Sequence, residues 1–320
     1  MAMNSDVLPS VMTTAEARRR GVLVLLRNGT YVRVTRAVYV VAGVDPEHPD
    51  VRIAVAAAAL PAGVVVGGWA AARLHERGRT GKRDDATYFD GLDRSGRVHQ
   101  PVLLLSDRAT RLVATPYRRL VRSGVPVEER QRVGGRLITS PMRTAFDLAR
   151  LSTREDAVVA LDRLRALGLI DPWGLKQMFD DRPRWLGVDR ARQALALSAD
   201  GVESPQESVM RLVWREARLP VPVCNATILD DTGDMVARVD LLDPGVGLVG
   251  EYDGAVHASA RTRSADAARQ ERLEALGLIV VRATAEDMST ERGRTAWRVR
   301  LRRAYERARA NGGPGRWSVR

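Results

Sequence analysis

Cysteine is almost absent: Cys224 is the only one in 320 residues. No disulfide can form within the chain, and no zinc site can be built on paired thiolates. Lysine is nearly as scarce, with only Lys82 and Lys176. The 51 Lys and Arg against 39 Asp and Glu are therefore almost all arginine, and the net charge is +12. Long apolar runs are missing too. The most apolar stretch, Ile53 to Trp69, is interrupted by Pro61 and by glycines. It falls short of the roughly 18 unbroken apolar residues that a membrane helix needs. The first residues, Met-Ala-Met-Asn-Ser-Asp, lack a basic segment followed by an apolar core, so no signal peptide is expected. A reducing, cytoplasmic setting without membrane contact fits these absences.

What is present points to a folded, basic protein. At 45% hydrophobic residues the chain can build real cores, and its length leaves room for two domains and a connecting region. A sequence pI of about 10.8 is the electrostatic footprint of a nucleic-acid binder. An arginine-rich genome would raise the pI of ordinary proteins as well, so charge alone does not decide the point.

Three regions follow from the patterning. Residues 1–45 read as a helix and a hairpin: Thr13 and Glu16 form a capping box, Gly21 ends the helix, and Tyr31 to Arg36 and Val38 to Val41 form two strands. Residues 46–200 are a connecting α/β region. It has apolar helices at Val51 to Leu60 and Gly67 to His75, a buried strand at Val102 to Leu105, and helices from Pro141 and Glu155. Residues 201–320 have the clearest order: a helix from Ser204-Pro205, strands at Val223–Leu229, Met235–Leu242 and Leu248–Tyr252, a helix at Ala265–Leu276, a strand at Ile279–Thr284 and a basic last helix. The fold class expected is α/β and multi-domain, ending in an α/β sandwich with a mixed sheet.

The chemistry concentrates between Arg238 and His257. Asp240 and Glu251 stand at the ends of two short apolar runs, with Asp253 and His257 close behind. Two adjacent strands that deliver carboxylates to one end of a sheet suit a hard divalent cation such as Mg²⁺ or Mn²⁺. Asp240 lies inside Val239-Asp240-Leu241-Leu242, where an acid is costly unless paired or metal-bound. Asp240, Glu251 and Asp253 are the expected metal ligands. His257 has the titration range of a general acid or base, and a surface role is an equal competitor. His48, His75 and His99 have no ligand-like spacing and read as structural or surface residues.

These motifs carry a resemblance. Glu203-Ser204-Pro205-Gln206-Glu207, Arg238-Val239-Asp240-Leu241, Gly250-Glu251-Tyr252-Asp253-Gly254 with His257, and Arg272 to Gly277 with Val280 to Thr284 and Asp287 resemble the PD-(D/E)xK nuclease superfamily. They look closest to the very-short-patch-repair endonucleases and a related bacterial domain of DUF559 type, over roughly residues 203–288. The resemblance implies a restriction-endonuclease-like fold, Mg²⁺-dependent hydrolysis of DNA, and Glu207 as a helix-borne member of the acidic cluster. Asp253 departs from the lysine usual in the superfamily. Near the amino terminus, Glu16 to Gly21 and Leu25 to Val40 resemble the winged-helix domain of AbiEi-type antitoxins. Only seven residues separate Gly21 from Gly29, which leaves little room for a full recognition helix.

DNA is the expected partner. Arg18, Arg19, Arg20, Arg33 and Arg36 suit backbone phosphate contacts in the first region, and Arg269 and Arg272 in the last. Ion pairing along solvated helix faces is the competing use of such arginines. Two other readings come from different classes. One is a non-catalytic antitoxin-like regulator that uses the nuclease fold as a scaffold. The other is a phage-defence or exclusion protein that acts through a protein partner such as a toxin or phage component.

Overall fold

The computed structural model describes residues 8–81, 88–94, 96–107, 112–254, 260–311 and 315–320. His257 lies outside them. The chain is mixed α/β, with eleven helices and three sheets among the described residues, and it divides into two compact units, Met1–Leu148 and Ala149–Arg320. No helix among the described residues is long and apolar enough to cross a membrane.

The first unit begins with β1 (Val11–Thr13), α1 (Thr14–Arg19), β2 (Tyr31–Thr35) and β3 (Val38–Val41). Thr13 caps α1 by accepting the Glu16 N–H at 3.1 Å. The strands form an antiparallel sheet in the order β1-β3-β2. Met12, Ala17 and Tyr31 are its buried core. The short span after Gly21 holds a 3-10 turn, Leu23–Leu26, where a second α-helix would need more chain.

The rest of this unit comprises α2 (Pro49–Ala56), β4 (Val65–Gly67), α3 (Gly68–Thr80), β5 (Val102–Ser106), β6 (Arg118–Arg122), β7 (Arg130–Val133), β8 (Arg136–Thr139) and most of α4 (Pro141–Leu151). Its mixed sheet runs β6-β5-β4-β8-β7. Only β5 was foreseen as a strand. β6 and β7 are the two edges, and their alternation is written with arginine rather than apolar residues, which hides an edge strand from a hydrophobicity reading.

Buried arginines lock the helices. Arg73 on α3, fully buried, donates to both carboxylate oxygens of Asp50 in the first turn of α2, at 2.8 and 3.3 Å, and Arg77 adds a contact at 2.6 Å. Burial alone would raise the pKa of Asp50, but Arg73 and Arg77 outweigh it and hold the carboxyl below its usual value. A depressed folded pKa means stability that is present above the ordinary carboxylate pKa and lost as pH falls through the lowered one. Urea denaturation at pH 5 and pH 3 should therefore show wild type losing more stability than Asp50→Asn over that interval. Equal losses would remove the pair from the account.

The second unit comprises α5 (Arg154–Ala166), α6 (Pro172–Asp180), α7 (Val188–Leu197), α8 (Pro205–Glu216), β9 (Val223–Asp230), β10 (Met235–Asp243), β11 (Leu248–Asp253), α9 (Ala260–Ala275), β12 (Ile279–Thr284), α10 (Ala285–Ser289), α11 (Glu291–Ala310) and β13 (Trp317–Val319). The sheet order is β12-β11-β10-β9-β13. β9, β10 and β11 form an antiparallel meander, β12 joins β11 in parallel, and β13 adds an antiparallel edge. One apolar cluster joins the sheet to α8 and α11 through Met210, Trp214, Leu241, Leu248, Trp297 and Leu301. The other joins it to α9 through Val239, Val249 and Leu273. Gly250 lets β11 lie close to α8: a Cβ there would come within 3.2 Å of the Trp214 ring.

The break expected at residue 200 falls inside this unit. Asp162 on α5, fully buried, accepts from the Ala199 N–H, the Ser208 hydroxyl and Arg211 of α8, each at 2.7 Å. A polar stretch at 199–201 reads as a linker in sequence, but its backbone is held by this buried carboxylate.

Candidate functional site

Strict alternation along β10 would put Ala237, Val239 and Leu241 on one face. Ala237 and Val239 pack on the α9 side, but Leu241 packs on the α8 side. β9 has the matching irregularity: Ala226 and Ile228 face α9, while Cys224 packs on the α8 side. Between them Asn225 takes φ +50°, a left-handed conformation that asparagine tolerates better than most residues. Asp240 sits opposite this kink, between the pairs Val239↔Ala226 and Leu241↔Cys224.

β10 and β11 part at the same place. Their ladder runs from Asp243↔Leu248 to Leu241↔Gly250. Beyond it the Tyr252 N–H donates to Asp240 Oδ2 at 2.7 Å, so a side chain takes the place of a backbone acceptor. Arg269 of α9 enters the gap. Its Nη2 donates to the Arg238 carbonyl and to Glu251 Oε1, both at 2.6 Å. Glu251 is buried at 8% exposure, so its charge needs this partner or a metal.

Glu207 reaches the site from the first turn of α8, where the cap Ser204 accepts its N–H at 3.2 Å. Its Oε2 accepts from Asn225 Nδ2 at 2.6 Å and from the Glu203 N–H at 2.9 Å. Arg238 is committed to Glu203 through two guanidinium nitrogens, one of them at 3.0 Å.

Three carboxylates thus share one arrangement. Asp240, Glu251 and Glu207 are each held through one oxygen, and the other oxygen has no hydrogen-bond partner among the described residues. Burial pushes the Asp240 pKa up; the Tyr252 N–H and Arg269 oppose this, and the charges of Glu207 and Glu251 reinforce it. On Arg269, burial works against the charge, but Glu251, Asp266 and Asp240 overcome it and hold the guanidinium pKa above its ordinary value.

The sequence-derived residues divide accordingly. Glu207, Asp240, Glu251 and Arg269 come together. Asp253 stands exposed at the end of β11, where its charge raises the pKa of Tyr252 after the larger effect of burial. Among the described residues no three His, Cys, Asp or Glu side chains are arranged to hold a metal ion, so neither Asp240, Glu251 and Asp253 nor Glu207, Asp240 and Glu251 form such a triad. Arg272 is exposed one turn beyond Arg269. In the first unit Arg18, Arg19, Arg20, Arg33 and Arg36 are all exposed; Arg20 pairs with Glu16 at 3.0 Å and Arg33 bonds the Thr35 carbonyl. Asn225 was missed. Its only signal was an asparagine inside an otherwise strand-like run.

No family model and no solved structure matches the chain. Two uncharacterized proteins of Mycobacterium tuberculosis, one from strain CDC 1551 / Oshkosh and one from strain ATCC 25618 / H37Rv, are each 34% identical to it over 184 residues. The match takes in 57% of this chain and 66% of theirs, just under two thirds of the relatives' length.

Proposed function

We propose that this protein binds DNA and that its second unit is a Mg²⁺-dependent endonuclease of the PD-(D/E)xK type. The observation that carries the reading is the carboxylate arrangement where β10 and β11 part: Asp240, Glu251 and Glu207, each pinned by one oxygen and open at the other. The order α8-β9-β10-β11-α9-β12, with three antiparallel strands and a parallel fourth, supports it as a likeness to that superfamily's core. The donor set fits the cation. Mg²⁺ binds through one or two carboxylates and keeps several waters, so the pair Asp240 and Glu251 suffices without Asp253.

When bound, the cation supplies Lewis-acid polarisation of the phosphoryl oxygen and a bound water of lowered pKa. Asp240 and Glu251 would hold it, with their orientation fixed by the Tyr252 N–H and Arg269. Glu207 would orient the attacking water through its open oxygen and take the proton that the water releases. The water oxygen bonds to phosphorus, the bond from phosphorus to the sugar oxygen breaks, and that oxygen takes a proton. On the sequence-based reading His257 donates it. In the first unit the exposed Arg18, Arg19, Arg20, Arg33 and Arg36 contact backbone phosphates. The four-residue 3-10 turn makes base reading by a helix a poor fit.

One observation favours the non-catalytic, antitoxin-like regulator instead: Arg269 already neutralises Glu251. Nicking of supercoiled plasmid by the purified chain, with Mg²⁺ or Mn²⁺ and with chelator, separates the two. Metal-dependent nicking is the expected result. Salt-sensitive binding with no cleavage of any substrate selects the regulator.

A further inference from the structure

Asp240, Glu251 and Glu207, near enough for the charges of the last two to act on the first, repel a phosphodiester. Attack on phosphorus then builds further negative charge on its oxygens. A single divalent cation shared with Asp240 and Glu251 is largely spent on those ligands, so the site needs a second positive group facing the phosphate. Arg238 is near, but Glu203 engages it through two nitrogens.

Arg269 is placed differently. It uses one nitrogen, Nη2, for both of its hydrogen bonds, to Glu251 Oε1 and the Arg238 carbonyl. Its Nε and Nη1 make no hydrogen bond among the described residues, and its side chain is 27% exposed. The guanidinium is thus held against the acidic site with donors left over. Arginine retains its charge there whatever the pH, and its planar fork suits phosphate oxygens. Arg272 lies exposed one turn along the same helix, in line with a backbone running over α9.

We infer that Arg269 is a phosphate-contacting residue of this site: one nitrogen keeps Glu251 in position, and the others bind the DNA backbone beside the carboxylates Asp240 and Glu251. This inference rests on the nuclease reading for its catalytic consequence, but the phosphate contact itself is tested without turnover.

The first measurement is duplex DNA binding in Ca²⁺ across a salt series, comparing wild type with Arg269→Gln and Arg269→Lys. The slope of log affinity against log salt should fall by about one for Arg269→Gln and stay near wild type for Arg269→Lys. The second is single-turnover cleavage at rising Mg²⁺. Arg269→Gln should lose about a hundredfold at saturating metal, with Arg269→Lys in between. An unchanged salt slope overturns the inference, and so does a rate deficit that excess Mg²⁺ abolishes, since that marks a residue acting only through Glu251. If wild type cleaves nothing while Arg269→Gln still lowers the slope, the phosphate contact stands and the nuclease reading is what fails.

Discussion

Asp240→Asn is expected to slow Mg²⁺-dependent DNA cleavage by about two to three orders of magnitude while leaving duplex binding at wild-type strength or slightly above it. The size follows from losing one anionic ligand of a cation that stabilises charge in the transition state, an effect of several kcal/mol. Retained binding follows from the local geometry. The carboxamide oxygen of asparagine can still accept the Tyr252 N–H that Asp240 Oδ2 accepts at 2.7 Å. The parting of β10 and β11 is therefore preserved, and one negative charge leaves the path of the phosphate. Glu251→Gln should behave alike in cleavage. Glu207→Gln should cost less, because Glu207 does not hold the cation and its amide oxygen can still accept from Asn225 and the Glu203 N–H. Single-turnover rates and fluorescence anisotropy on the same duplex check both halves. Cleavage by Asp240→Asn within a few-fold of wild type would remove this carboxylate from the chemistry.

The second large effect is on stability. Asp162→Ala leaves Arg211, only 1% exposed, without its buried carboxylate. Breaking such a pair from one side costs about 3–5 kcal/mol, because the remaining charge is stranded in a dry interior. The Ala199 N–H and the Ser208 hydroxyl lose their acceptor as well. For a unit of this size the melting temperature should fall by about 10 °C. The double variant Asp162→Leu/Arg211→Met should recover much of the loss, since an apolar pair of similar volume removes the stranded charge. Urea and thermal unfolding followed by circular dichroism read both. A loss below about 1 kcal/mol would mean that α5 and α8 are not fastened through this contact.

How much of this was legible in the chain differs by region. The order of elements from Ser204 onward follows from local signals: the Ser204-Pro205 cap, the turn at 230–234, Gly277 after α9, and apolar runs of strand length. The carboxylates Asp240 and Glu251 stood out because acids inside apolar runs are expensive. The strands β6 and β7 did not, because their edge positions are filled with arginine. Nor did the tie between Asp162 and Arg211, 49 residues apart, because a buried ion pair between distant positions has no periodicity to betray it.

The sequence by itself determined which residue types the site has to work with: acids at the ends of buried strands, one cysteine, and arginine in place of lysine. Spacing and caps determined where the helices and strands of the second unit lie. Only the tertiary structure decided which of those residues meet. A kink at Asn225, opposite Asp240, moves β10 off strict alternation and opens it from β11. That opening brings Glu207, Asp240, Glu251 and Arg269 together and leaves Asp253 at the strand end. The reason is physical: alternation assigns side chains to faces only while the ladder stays regular, and between Val239↔Ala226 and Leu241↔Cys224, where Asn225 is left-handed, it does not.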